Sequence, residues 1–188
     1  MRTHSLTGLP APQGLYDPRF EHDACGVSFV ANMKGVVSRS IVSMGLGALC
    51  NLEHRGATGA EADTGDGAGI LIQVPDRFLR AVAGFELPPA GAYAVGLAFL
   101  PLDVTDAEKA QEAIDTIVVD EGLTVLGWRD VPVNPDCLGA SARAVMPICK
   151  QLFISDSTGT TGIELDRKVF IARKRIEHEL PVEQETYF

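Results

Sequence analysis

Apolar positions change period several times along this chain, and each change marks an element. From Cys25 to Met33 apolar and polar residues alternate, with Val27, Phe29 and Ala31 set against Ser28 and Asn32. A period of two predicts a strand over 25–33, closed by a turn at Lys34-Gly35. Over 39–54 the period becomes helical. Ile41, Met44, Ala48 and Leu52 form one stripe, and Val42, Leu46 and Leu49 a second, so the predicted helix is apolar on more than one side. Gly45 and Gly47 each weaken it by about 1 kcal/mol relative to Ala. Close packing against a neighbour would explain them.

The remaining pattern runs strand, helix, strand, helix, strand, strand, helix. Residues 70–75 (ILIQVP) and 92–100 (AYAVGLAFL) read as buried strands, with a short helix over 76–83 between them. Residues 105–121 read as an amphipathic helix facing inward through Ala110, Ala113, Ile114 and Ile117, opened by a capping box of Thr105 and Glu108. Residues 123–133 and 143–154 read as strands. A closing helix over 161–180 takes Ile163, Val169, Phe170 and Ile176 as inward positions. This order predicts a layered fold, sheet covered by helix, and leaves strand direction open. Residues 1–22 hold Pro10, Pro12, Pro18, Gly8 and Gly14 without periodicity and read as an extended tail.

Composition narrows the function classes. The chain has 188 residues, 46% hydrophobic and 22% charged, with a net charge of −9. That apolar content excludes disorder over the whole length. An acidic balance is the opposite of a nucleic-acid binder's. Basic residues gather only at Arg167, Lys168, Arg173, Lys174 and Arg175, among acids and at helical spacing, so a solvated helix face is expected there. No run of 18 apolar residues predicts a membrane span. Residues 1–24 lack the apolar stretch of a secretory signal, so a cytoplasmic, reducing setting is expected. Cys25, Cys50, Cys137 and Cys149 form no CxxC pair. The last three read as small buried apolar residues.

Residues 56–69 (GATGAEADTGDGAG) form a glycine-rich loop that fits no phosphate cradle. The Walker lysine is missing, and Gly65, Gly67 and Gly69 are spaced by two rather than as GxGxxG. Glu61, Asp63 and Asp66 do not complete a calcium loop, because Gly65 takes a ligand position and the closing glutamate is absent. The loop reads as a tight turn using positive φ. Of the other reactive residues, His22 lies in the tail, and His54 closes a packed helix and reads as structural. Nothing local supports pairing His54 with Cys25.

Two long stretches carry a family resemblance. YDPRFEHDACGVSFVA, at 16–31, resembles the start of glutamate synthase large chains. NLEHRGATGAEADTGDGAGILIQVP, at 51–75, resembles the same family at the expected distance downstream. The likeness runs over essentially the whole chain, weakest at 1–14 and 84–142, and the family has Gly where Ser28 stands. It implies a type-2 glutamine amidotransferase of the N-terminal-nucleophile hydrolase class. The implied fold is α+β, a four-layer αββα sandwich, incomplete in this chain. It further implies a propeptide at 1–24, cut between Ala24 and Cys25, and a domain over 25–188.

The implied chemistry suits the residue. A freed Cys25 carries a thiol and an α-amine, with ordinary pKa values near 8.5 and 7.7–8.0, so the amine can take the thiol proton near neutral pH. While residues 1–24 remain attached, that nitrogen is an amide and cannot act as a base. Arg55 of the EHRG stretch matches a family arginine near the nucleophile, and a guanidinium suits a substrate carboxylate.

The family's oxyanion donors come from an Asn-Gly pair. Asn32, Asn51 and Asn134 are followed by Met33, Leu52 and Pro135, so this chain has no such pair. The expectation is therefore an N-terminal piece of the family's glutaminase, inactive alone. No metal is expected in this segment. FMN and an iron–sulfur cluster are implied only for longer members. So are the partners: glutamine, the remainder of a synthase chain that aminates 2-oxoglutarate, and a small electron-transfer subunit or ferredoxin. The competing readings are another type-2 amidotransferase and a catalytically silent fragment. The long lead before Cys25 and the EHRGATGAEADTGDGAG stretch argue against the first.

Overall fold

A computed structural model describes Gly14 and residues 26–53, 61, 64, 65 and 67–180. The chain divides into two compact units, Met1–Leu71 and Ile72–Phe188. Each is taken by itself.

In the first unit one helix, α1, spans Arg39–Asn51. It ends three residues earlier than its apolar pattern predicts, and Leu52 closes it by donating to the carbonyls of Ala48 and Leu49. The alternation over 26–33 does not become a strand: those residues carry no ladder, and Met33 already belongs to a turn. Asn32 instead builds the turn, its Oδ1 accepting from the amides of Lys34 and Val36. Residues 70–75 are likewise not a strand. Period two supplies a face, but a strand also needs a partner edge, and none is supplied among the described residues. No described residue up to Leu71 is buried. On α1 the apolar positions Ile41, Val42, Ala48 and Leu49 are half-buried, while Met44 and Leu46 are exposed.

The second unit holds the core. Helix α2 (Asp76–Val82) precedes strand β1 (Tyr93–Leu100). Helix α3 (Val104–Asp120), strand β2 (Leu123–Asp130), a 3₁₀ turn at Pro135–Cys137 and helix α4 (Ala140–Ala144) follow. Strand β3 (Ile148–Asp156) and helix α5 (Gly162–Glu179) close the unit. The three strands make one antiparallel sheet in the order β1-β3-β2. Tyr93 lies opposite Ser155, Leu100 opposite Ile148, and Leu123 opposite Asp156. This antiparallel α+β layering is what the described residues display.

Alternation along the strands assigns the two sheet faces. Ala98, Leu100, Leu152 and Ile154 face α3 and α5, whose Ala110, Ile114, Leu165, Ala172 and Ile176 complete a continuous core. On the other face Tyr93 and Phe153 pack with Leu79 and Ala83 of the α2 region, and Phe85 meets Phe153 edge-on at 5.2 Å. Leu97, on the same face, stays exposed.

Three local expectations need correction. Helix α3 is capped by Asp103, whose Oδ1 accepts from the Asp106 amide at 3.1 Å, and not by the Thr105–Glu108 box. An Asp placed one residue ahead of the helix outcompetes a Thr inside it. The last strand begins at Ile148 and not at 143, because Ala140–Ala144 is helical and Pro147 separates the two elements. In α5, Ile163 and Phe170 point outward at 63% and 58% exposure, while Leu165 and Ala172 are buried. Val169 and Ile176 face the core as the pattern predicts, and Leu165 and Ala172 complete that stripe.

Candidate active site

Cys25 and Arg55 lie outside the described residues, as do His22, His54 and the tail at 1–13. What is described are the segments that hold them. Gly26–Ala31, directly after Cys25, is neither helix nor strand, and Val27 and Phe29 are almost wholly exposed. Helix α1 ends four residues before Arg55 in the sequence. After the glycine-rich loop the chain returns to that helix. A Cβ built on Gly45 would lie 2.9 Å from Cδ1 of Ile70, so the isoleucine sits against bare helix backbone. Within the loop, Thr64 Oγ1 donates to a Glu61 carboxylate oxygen at 2.9 Å, and the Thr64 amide donates to the Glu61 carbonyl.

The thiols outside position 25 are not the buried set that the pattern predicts. Cys50 on α1 and Cys137 in the 3₁₀ turn are exposed. Cys149 on β3 is half-buried, and that burial pushes its thiol upward from the usual range. Position next to apolar neighbours in sequence did not decide burial; the face of the element did. The Cys137 thiol donates to the Asn134 carbonyl at 3.0 Å.

The second unit holds two polar constellations that composition could not reveal. Asp156, at the end of β3, is buried, with Lys168 of α5 at 2.5 Å from Oδ2. Its Oδ1 accepts from the Thr158 amide at 2.7 Å and from the Thr158 hydroxyl at 2.8 Å. The Lys168 hydrogen bond, then the Thr158 amide, hold this carboxyl well below the usual carboxylate range. In sequence the only signal is an Asp followed by Ser, Thr, Gly and Thr, a turn-forming run that ends just before the helix.

Asp76, at the start of α2, accepts from the Tyr93 hydroxyl at 2.9 Å and from Arg80 Nε at 3.0 Å. Arg80 also donates to the carbonyls of Leu87 and Pro88. Burial, with the Asp76 hydrogen bond, pushes the Tyr93 hydroxyl up to about 12. Both constellations are closed on themselves, with every charge matched, and read as fasteners of the fold.

An open cleft of about 610 Å³ lies between Pro88–Ala92 and the start of α5, lined also by Ser155, Asp156 and Thr161. It presents mainly backbone and small side chains. The basic run at 167–175 is largely a solvated helix face, as its spacing predicts: Arg167 pairs with Glu164, Arg173 and Lys174 with Glu177, and Arg175 with Glu179 and Glu121, whereas Lys168 turns in to the buried Asp156.

Among the described residues no group of three or more His, Cys, Asp or Glu side chains is gathered as a metal site. Their three cysteines stand on separate elements, so these residues do not fit an iron–sulfur cluster. No described helix is long and apolar enough to cross a membrane.

Comparison with known proteins defines the class. The family model of class-II glutamine amidotransferases matches residues 25–188, beginning at Cys25 itself. The chain belongs to that family, whose members are enzymes. Among curated relatives it is 41% identical over 172 residues to the glutamate synthase [NADPH] large chain of Bacillus subtilis, covering 90% of this chain and 11% of that protein. It is 40% identical to ferredoxin-dependent glutamate synthase 2 of Synechocystis, covering 85% of this chain and 10% of the relative. Over 188 residues it is 38% identical to the chloroplastic/mitochondrial ferredoxin-dependent glutamate synthase 1 of Arabidopsis thaliana, covering 95% and 11%. The chain spans about a tenth of the length of these relatives.

Proposed function

We propose that residues 25–188 form part of the glutaminase domain of a glutamate synthase, with Cys25 as its N-terminal nucleophile once residues 1–24 are removed. The observation that carries this reading is the start of the family match at Cys25. The relatives' names support the synthase context. The four-layer sandwich remains part of this proposal, with the antiparallel sheet and its α3–α5 cover as one sheet and one helical layer of it.

The chemistry follows from a thiol and an amine on one residue. The free α-amine of Cys25 takes the thiol proton. The thiolate attacks the side-chain amide carbon of glutamine, forming a C–S bond. The C–N bond then breaks, and the protonated amine delivers its proton to the leaving group, releasing ammonia. Water adds to the γ-glutamyl thioester and the C–S bond breaks, which yields glutamate and restores the thiol. Arg55 pairs with a carboxylate of the substrate. In the whole synthase the ammonia is consumed by reductive amination of 2-oxoglutarate, which makes a second glutamate. FMN and an iron–sulfur cluster would supply electron transfer there, with electrons coming from a small subunit or a ferredoxin. The setting is cytoplasmic.

The test is Cys25→Ala in the polypeptide as its gene encodes it. Glutamine hydrolysis should vanish while ammonia-dependent synthesis persists. Glutaminase activity retained by this variant would sink the assignment. One observation favours a silent piece as the second reading: the 188 residues contain no Asn-Gly pair to serve as oxyanion donor. Loss of one such donor costs about 10²–10³ in turnover. Residues 1–188 alone should therefore release ammonia from glutamine only at background rate.

A further inference from the structure

We propose that β1 is the seam of a dimer of this chain: its outer edge pairs antiparallel with the same edge of a second copy, across a twofold axis at Leu97. The inference goes beyond the glutaminase reading and does not depend on it.

The sheet has two edges, and they are built differently. β3 lies in the middle of the order β1-β3-β2, so β1 and β2 are the outer strands. An outer strand exposes a row of unpaired amides and carbonyls, and proteins ordinarily blunt it with charge, proline or a bulge. β2 carries all three devices. A bulge between Val125 and Gly127 interrupts its register, Arg129 and Asp130 end it, and Pro132 follows. β1 carries none of them. Its residues, YAVGLAFL, hold no charge and no proline, and they pair with β3 in unbroken register from Tyr93 to Leu100. Among the described residues no strand pairs with its other edge.

Exposed side chains stand along the same edge. Leu97, near the middle of β1, is 41% exposed, although Tyr93 and Val95 on its face are packed. On the helical side α5 packs on β1, and α3 mainly on β2. Arg175 reaches Glu121 at the end of α3, so that flank of α5 faces inward. Phe170 lies about 140° around the helix from Arg175. It is 58% exposed, on the flank turned away from α3. Apolar surface thus remains on both faces of the sheet at its β1 side.

A second copy fits this edge. The strand is apolar along its whole length, so reversing it against itself sets apolar residues opposite apolar residues at every pair. A twofold axis normal to the sheet keeps α5 of both copies on one side and sets residues of the same face against each other. With the axis at Leu97, Leu97 meets the partner's Leu97, and Val95 meets the partner's Phe99. No charge falls in the seam. Because β2 is blunted, association stops at two copies, as an isologous interface does.

The experiment uses the polypeptide as its gene encodes it. Sedimentation velocity should show a dimer at about 100 µM protein, the concentration range a small interface requires. Leu97→Lys and Leu97→Glu each set like charges on the axis and should weaken association at least about tenfold. Mixed one to one, these two variants should dimerise again, to within about tenfold of the parent. Thr124→Lys, on the exposed edge of β2, should leave association unchanged. Under mild oxidation Leu97→Cys should form a disulfide between copies at position 97, because directly opposed Cα atoms lie about 4.5–5.5 Å apart. Val95→Cys should not, since its two copies would stand about 14 Å apart along the strands.

A monomeric parent at that concentration overturns the proposal. So does a Leu97→Lys or Leu97→Glu protein that associates like the parent, or a Val95→Cys protein that cross-links as readily as Leu97→Cys. Charged variants that are monomeric and stay so when mixed would mark damage to the strand rather than a seam, and overturn it as well. Where a charged variant fails to fold, the two cysteine variants decide.

Discussion

Asp156 is the residue on which the second unit's charge balance turns. Its carboxylate is buried at the end of β3 and held by Lys168 and by the amide and hydroxyl of Thr158. A carboxyl held below its unfolded value contributes stability that is present above the ordinary carboxylate range and lost as pH falls through the folded value. The thermal midpoint should therefore decline below about pH 4, and Asp156→Asn should flatten that decline while lowering the midpoint at neutral pH by several degrees. Midpoints measured from pH 2 to 7 decide this; parallel curves for the two proteins would discard it. Gly127 is a second single-residue constraint. It sits at the β-bulge of β2 with φ of +157°, and an added Cβ would lie 2.8 Å from the Phe85 ring. Gly127→Ala should cost about 1–3 kcal/mol by overpacking, and Phe85→Leu in the same chain should recover part of it. Denaturant midpoints with unchanged slope measure both.

Among the elements, those whose apolar pattern is met by a partner are the ones the pattern located well. β1, β2 and α3 fall within three residues of their predicted bounds, because alternation along the strands and a wide stripe on α3 all point into one core. Where a pattern has no partner it misleads. Residues 26–33 alternate as a strand should, yet carry no ladder. Helix α5 shows the subtler failure: period 3.6 fits both its stripes, and periodicity cannot say which one meets the sheet. The stripe that meets the sheet is Leu165, Val169, Ala172 and Ile176, which leaves Ile163 and Phe170 exposed. The candidate site was legible as motif only. The ACGV and EHRG stretches identify Cys25 and Arg55 by resemblance, whereas the seat of Ile70 at Gly45 is a matter of distance that no spacing rule carries. The α5 assignment has a direct check. Leu165→Ala should destabilise by about 2–5 kcal/mol, as for a buried leucine. Phe170→Ser should stay within about 0.5 kcal/mol, as for an exposed position. A reversed order in equilibrium unfolding would mean the helix presents its other face.

At the scale of the whole chain the two units differ in what holds them. In Ile72–Phe188, the sheet faces α3 and α5 on one side and the α2 region on the other, so apolar burial is continuous through β1, β3 and β2. In Met1–Leu71 no described residue is buried, and Val27, Phe29, Met33, Val37 and Leu71 stand almost fully in solvent. Hydrophobic burial is the main favourable term in folding, so the two units should open at different free energies. Amide hydrogen exchange separates them without any activity assay. Amides of 93–100, 107–118 and 148–156 should be protected to the level of global unfolding. Those of 39–51 should exchange through local opening, faster by two or more orders of magnitude. Cys50, on exposed α1, should react at once with a water-soluble disulfide reagent, and Cys149 on β3 only slowly, since its thiol is half-buried and shifted upward. A hydrophobic dye should bind the native protein, because Val27, Phe29, Met33, Val37 and Leu71 are almost fully exposed. Uniform protection across both units, with Cys50 as slow as Cys149 and no dye binding, would show that α1 is covered in solution and that the chain folds as one cooperative body.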